Sequence, residues 1–85
     1  MSDQKPSAVL DNRRSGCATG LIRADAAIDR LGPGEVLAIL TRDRFAPAEV
    51  RLWAEKAGHR LVAVERAGVW PLRYRRLLVE RGETP

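Results

Sequence analysis

The chain has 85 residues, of which 45% are hydrophobic and 31% charged. This length allows a single domain with a thin core, burying roughly 60–65% of its unfolded surface, and the composition is too apolar for a disordered chain. Fifteen Lys and Arg against eleven Asp and Glu give a net charge of +4. Nearly all the basic residues are arginine, which permits attraction to nucleic acid or to an acidic protein face without requiring either.

One cysteine, Cys17, and one histidine, His59, exclude an internal disulfide framework and a cysteine-based zinc site. A free thiol suits a reducing compartment. The stretch MSDQKPSAVL lacks an apolar run of signal-peptide length, and nothing approaches the roughly 20 apolar residues of a membrane span. A soluble cytoplasmic protein is expected, with no membrane contact, metal or cofactor.

In chain order, residues 1–7 read as a disordered lead-in, 8–82 as the domain and 83–85 as a tail. AVLD (8–11) is a short first strand and NRRSG (12–16) a polar loop. Leu21, Ala24, Ile28 and Leu31 then recur at helical spacing, predicting a helix over 19–31 that GPG (32–34) stops. EVLAILT (35–41) is the apolar, branched run of a central strand.

Pro47 suits the first turn of a second helix. Val50, Trp53, Ala54 and Ala57 form its apolar face, and Gly58 ends it. HRLVAVER (59–66) and PLRYRRLLVER (71–81) read as two strands joined at AGVW. In the second, Leu72, Tyr74 and Leu78 share one face, and Arg73 and Arg75 the other. The order β-α-β-α-β-β predicts an α+β two-layer sandwich, with a mixed four-stranded sheet and both helices on one face. The arginines of the last strand are expected on the open face or at an edge.

His59, about forty residues from Cys17, reads as a solvent-touching residue at a strand start rather than a catalytic partner. Asp25 and Asp29 interleave with Arg23 and Arg30 on a solvated helix face. GPG and GCATG lack the spacing of a phosphate loop or dinucleotide fingerprint.

Cys17 stands apart by position. It ends the loop after the first strand and borders the first helical turn. There the N–H groups of Ala18, Thr19 and Gly20 and the positive end of the helix dipole favour a thiolate. Arg13, Arg14 and Arg23 add positive potential, so Cys17 is read as a reactive thiol rather than a buried filler.

Three segments, LDNRRSGCATG (10–20), GEVLAILTRD (34–43) and GHRLVAVE (58–65), occur in this order and spacing. Together they resemble the TusA/SirA family of small sulfur-carrier proteins, over about residues 8–82. The resemblance implies the same sandwich and a persulfide held on Cys17, which matches the cysteine of the family's CPxP motif. Ala18 and Gly20 stand where that motif has prolines. Residue 54, a second cysteine in some members, is alanine.

A sulfurtransferase of this kind implies transient sulfur-donor and sulfur-acceptor proteins at the Cys17 loop. Ala18, Thr19 and Gly20 would hold the persulfide, with Arg13, Arg14 and Arg23 facing the partner. The relay served would be tRNA thiolation, molybdenum-cofactor synthesis or sulfur oxidation, with the carrier a monomer that does not bind nucleic acid. The second reading is a non-catalytic regulatory or nucleic-acid-binding module that uses RYRR (73–76), with Tyr74 or Trp70 stacking on bases.

Overall fold

The computed structural model describes residues 5–82, in the order β1 (Ala8–Asp11), α1 (Cys17–Ile28), β2 (Val36–Thr41), α2 (Ala46–Ala57), β3 (Arg60–Ala67) and β4 (Tyr74–Glu80). Residues 1–4 of the expected lead-in, and the tail 83–85, lie outside the described residues. The strands form one mixed sheet in the order β1-β2-β4-β3. β1 runs parallel to β2, and β4 runs antiparallel to both β2 and β3.

The parallel β1–β2 pair follows from the helix between them, since a parallel return needs a crossover connection. β2 and β4 occupy the interior of the sheet, and their apolar runs match that position. Leu37, Ala38, Leu77 and Val79 are fully buried, and Ile39 and Leu78 nearly so. One face of the sheet places Leu37, Ile39, Leu77 and Val79 against Ala24 and Ile28 of α1 and Val50 and Ala54 of α2. α1 lies over β1 and β2, and α2 over β3.

The opposite face has no helix. There Ala38 pairs with Leu78, which pairs with Ala63. Cross-strand ion pairs flank them, Arg76–Glu65 at 2.8 Å and Arg60–Glu80 at 3.0 Å. Directly opposed charges of unlike sign stabilise neighbouring strands, and their aliphatic stems shield apolar surface.

Several boundaries differ from expectation. α1 starts at Cys17 and ends at Ile28, after which Arg30 and Leu31 N–H groups bond three residues back, to Ala27 and Ile28. This tightened last turn still delivers Leu31 to the core. β4 begins at Tyr74, so Leu72 and Arg73 belong to the preceding turn. Because β4 is interior, its arginines guard no edge. Arg76 shares the helix-free face with Tyr74 and Leu78, whereas Arg75 points the other way by alternation. Ala57 is exposed, lining an outer groove with Leu21, Trp53 and Lys56.

α2 has Pro47 in its first turn, Glu49 near its positive end and Lys56 near its negative end. Gly58 ends it in the left-handed conformation. The C-terminus of α1 is closed from a distance. Arg81, just past β4, donates through Nη1 to the carbonyls of Ile28 (3.4 Å), Asp29 (3.2 Å) and Leu31. A cation on the last carbonyls of a helix satisfies orphan acceptors and opposes the dipole.

Arg81→Ala should therefore lower unfolding stability by about 1–3 kcal/mol in urea titrations, with Arg81→Lys recovering part of the loss. An unchanged midpoint in Arg81→Ala would show that this cap contributes nothing.

Candidate functional site

β1 and β2 end side by side, with Asp11 beside Leu40, and β4 begins beside the end of β2, with Arg75 beside Thr41. Three connections therefore meet at one end of the sheet: residues 12–16 leading into α1, 42–45 leading into α2, and the β3–β4 turn at 68–73. Cys17, the first residue of α1, follows the first of these connections. His59 precedes β3 at the opposite end, its ring 5.8 Å from Trp53 and its Nδ1 accepting the Gly82 N–H at 3.0 Å. It is half-buried and lies at the other end of the sheet from the start of α1.

Gly16, the N-cap of α1, is extended and offers no side-chain acceptor to the first turn. In a helix starting at residue 17, the N–H groups of Cys17, Ala18 and Thr19 have no acceptor within the helix. Gly20 differs, because its N–H donates to the Gly16 carbonyl at 2.8 Å. Of the three donors expected at residues 18–20, only Ala18 and Thr19 keep that role, and Cys17 joins them.

The first turn is held by a residue that sequence reasoning left in the loop. Asn12 is only 6% exposed. Its backbone N–H donates to Leu40 at 2.8 Å, continuing the β1–β2 pairing, and its Nδ2 donates to the Gly20 carbonyl at 3.0 Å. A Cβ at residue 20 would approach Asn12 Nδ2 to 3.0 Å, tighter than an ordinary contact. Glycine at 20 thus makes room for the amide. A proline there would forfeit the bond to Gly16 and place a ring in the same crowded space.

Beside this lock lies a cavity of about 20 Å³, bordered by Asn12, Gly16, Thr41 and the start of α2. Asn12 Oδ1 is buried there without a protein partner. The only sequence signal for the lock was an amide directly after a strand, a residue type that commonly turns back onto nearby backbone.

The arginines divide by role. Arg13 is bidentate on Asp11, through Nε at 2.9 Å and Nη2 at 2.8 Å, and lies 4.9 Å above the Tyr74 ring. Arg23 reaches back along α1 to Ser15 Oγ at 2.6 Å, which ties the loop before Cys17. Arg14 is exposed, lining a surface recess with Asp11, Arg13, Arg42 and Leu72. RYRR does not form one binding face: Tyr74 lies beneath Arg13, and Arg76 is paired with Glu65. Among the described residues, no group of three His, Cys, Asp or Glu side chains is placed to hold a metal, and no helix is long and apolar enough to cross a membrane.

The Arg13 side chain, followed by its backbone N–H, holds the Asp11 carboxyl at about 2, below its ordinary 3.8. A depressed carboxyl contributes stability above its ordinary value and loses it as pH falls through about 2, so this pair stays ionised throughout the neutral range. The Asp11 carboxyl carbon should titrate by NMR with a midpoint of about 2, and Arg13→Gln should return it toward 3.8. A native midpoint at the ordinary value would remove the pair from the account.

The Asn12–Gly20 contact predicts non-additivity. Gly20→Ala gains up to about 1 kcal/mol of helix propensity when Asn12 is also alanine. With Asn12 present the gain should vanish or reverse, giving a coupling of roughly 0.5–1 kcal/mol in a double-mutant cycle. Additive stabilities would dissolve the lock.

Comparison with known proteins places this geometry. Residues 8–76 match the family model described as sulfurtransferase TusA. A protein from Archaeoglobus fulgidus, named as a candidate sulfur carrier, is 33% identical over 58 residues, spanning 68% of this chain and 80% of that one. The crystal structure of a SirA-like protein from Desulfitobacterium hafniense superposes with a TM-score of 0.64 at 23% identity, covering 89% of this chain and 99% of the other. That likeness establishes the shared fold, while the family match and the relative support a sulfur-carrier role.

Proposed function

We propose that this chain, which belongs to the TusA sulfurtransferase family, carries sulfane sulfur as a persulfide on Cys17 and hands it to a cysteine of a partner protein. The observation that carries the proposal is the placement of Cys17 as the first residue of α1, behind an N-cap with no side-chain acceptor. An anion there meets unpaired N–H groups and the positive end of the helix dipole. The same features favour the thiolate, which is the attacking species.

The transfer needs no external oxidant. The Cys17 thiolate attacks the outer sulfur of a donor persulfide, forming a new S–S bond while the donor's own S–S bond breaks and its thiolate departs. An acceptor thiolate then attacks the outer sulfur on Cys17. That sulfur moves on, and Cys17 is released as a thiolate. Rate depends on thiolate fraction, leaving-group acidity and access, so a general base is not required. The backbone N–H groups of residues 17–19 stabilise the negative outer sulfur. Arg23, through Ser15, steadies the loop before the nucleophile, and Arg14 is the freer cation for attracting an acidic donor or acceptor.

A reducing, cytoplasmic setting suits a thiol that must return to its free form after each transfer. Thiolated tRNA, a molybdenum cofactor and oxidised sulfur are all products that such a relay can feed, the choice resting with the partners. The nucleic-acid-binding alternative has less support, because Tyr74 and Arg76 are already engaged within the fold.

Reduced protein treated with inorganic polysulfide should gain the mass of one sulfur, lose it with dithiothreitol and show no gain as Cys17→Ser. Absence of any adduct on the native chain would overturn the persulfide reading.

A further inference from the structure

The turn between β3 and β4 presents apolar side chains to solvent. Val69 is 79% exposed, Trp70 76% and Leu72 65%. Side chains left in water forgo the stabilisation of burial, and exposed apolar patches mark contact sites. The turn is nonetheless shaped. The Leu72 N–H donates to the Val69 carbonyl at 2.7 Å. Gly68 has a φ of +76°, and a Cβ there would come within 2.7 Å of the Leu72 carbonyl oxygen. Glycine at 68 is what lets the backbone fold back and direct residues 69–72 outward.

The surroundings of this tip are basic. Leu72 shares a recess of about 390 Å³ with Arg13, Arg14, Arg42 and Asp11. An adjoining recess of about 340 Å³ is lined by Arg42, Arg66, Arg73 and Arg75 with Thr41 and Tyr74. Among the described residues Asp11 is the only acid in either lining, and Arg13 already binds it. Both recesses lie at the end of the sheet where the loop leading to Cys17 emerges.

We propose that the β3–β4 tip is a second docking anchor, separate from the Cys17 loop, for a protein segment that offers apolar side chains bordered by carboxylates. Trp70 and Leu72 pack on those side chains, and Arg66, Arg73 and Arg42 meet the carboxylates. Buried tryptophan surrounded by arginine is the usual make-up of an energetically dominant contact, and opposite charge at the rim guides encounter. Val69 and Leu72 are aliphatic, which suits apolar protein side chains; base stacking uses aromatic faces, and Tyr74 beside them is covered by Arg13. The inference rests on the persulfide reading, in that the docked protein is the donor or acceptor of the Cys17 sulfur.

The test uses short synthetic peptides with one cysteine each. The first sets Leu and Phe among glutamates, the second replaces the glutamates by lysines, and the third keeps the glutamates but replaces Leu and Phe by serine. Full-length protein loaded with polysulfide is mixed with each, and movement of the outer sulfur to the peptide is followed by intact mass. The peptide thiolate forms the new S–S bond as the Cys17 S–S bond breaks and the Cys17 thiolate leaves.

The first peptide should accept sulfur roughly ten-fold faster than the others at low salt. Trp70→Ser/Leu72→Ser should abolish that preference while leaving polysulfide loading unchanged. Arg66→Glu/Arg73→Glu should shift the preference toward the lysine peptide. Binding of cysteine-free peptides to Cys17→Ser, read by fluorescence, reports on docking even if Cys17 takes up no sulfur, so failure of the two proposals can be told apart. Equal rates and equal binding for all three peptides would overturn the anchor. So would an RNA oligonucleotide or anionic phosphatidylserine vesicles binding through Trp70 and Leu72 while the peptides do not.

Discussion

One buried amide sets the geometry on which the Cys17 end of the sheet depends. Asn12 leaves β1, bonds through its backbone to the end of β2, and grips the Gly20 carbonyl of α1 with its side chain. Two strands and a helix are thereby registered at a single residue. The hold is strong for its size because Asn12 is buried, where an amide hydrogen bond competes little with water and a lost partner would be costly. It also accounts for glycine at 20, since the space a side chain would need is occupied by the amide. With alanine at 18 and glycine at 20 no proline ring restricts φ in this turn; a tertiary hydrogen bond holds the Gly20 carbonyl.

With the start of α1 held in place, the direction of the parallel β1–β2 pair brings the other loops alongside. The ends of β1 and β2 and the beginning of β4 lie together, so loops far apart in the chain form one surface. That surface is basic, yet its arginines are not equivalent. Arg13 is neutralised by Asp11 and Arg23 is bound to Ser15, whereas Arg66 and Arg73 remain exposed beside the apolar turn. A cation paired with a carboxylate adds less to the outward field than one without such a partner, so Arg13 contributes least to the positive potential of this surface.

Much of this was legible from residue order. The apolar run at 36–41 announced an interior strand because a strand buried on both faces must be apolar on both. The spacing of Leu21, Ala24, Ile28 and Leu31 announced the buried face of α1, and GCATG placed Cys17 at its start. Less legible was the last strand. PLRYRRLLVER alternates convincingly from residue 71, but the turn claims residues through Arg73, because Gly68 and the Val69–Leu72 hydrogen bond bring the chain round before pairing starts. The interior position of β4 was also hidden, since strand order depends on which neighbour each strand meets, and alternation within one strand carries no such information.

By itself, then, the sequence determined the order of elements, the family, and the single cysteine at a helix start, because these depend on local periodicity, capping and short motifs. Tertiary structure alone decided that Asn12 would lock Gly20, that Arg81 would cap α1 from 50 to 53 residues away, and that Trp70 would share an end of the molecule with Cys17. Those are contacts between residues distant in sequence, fixed by how strands pair and helices pack, and no local pattern encodes the distance that folding closes.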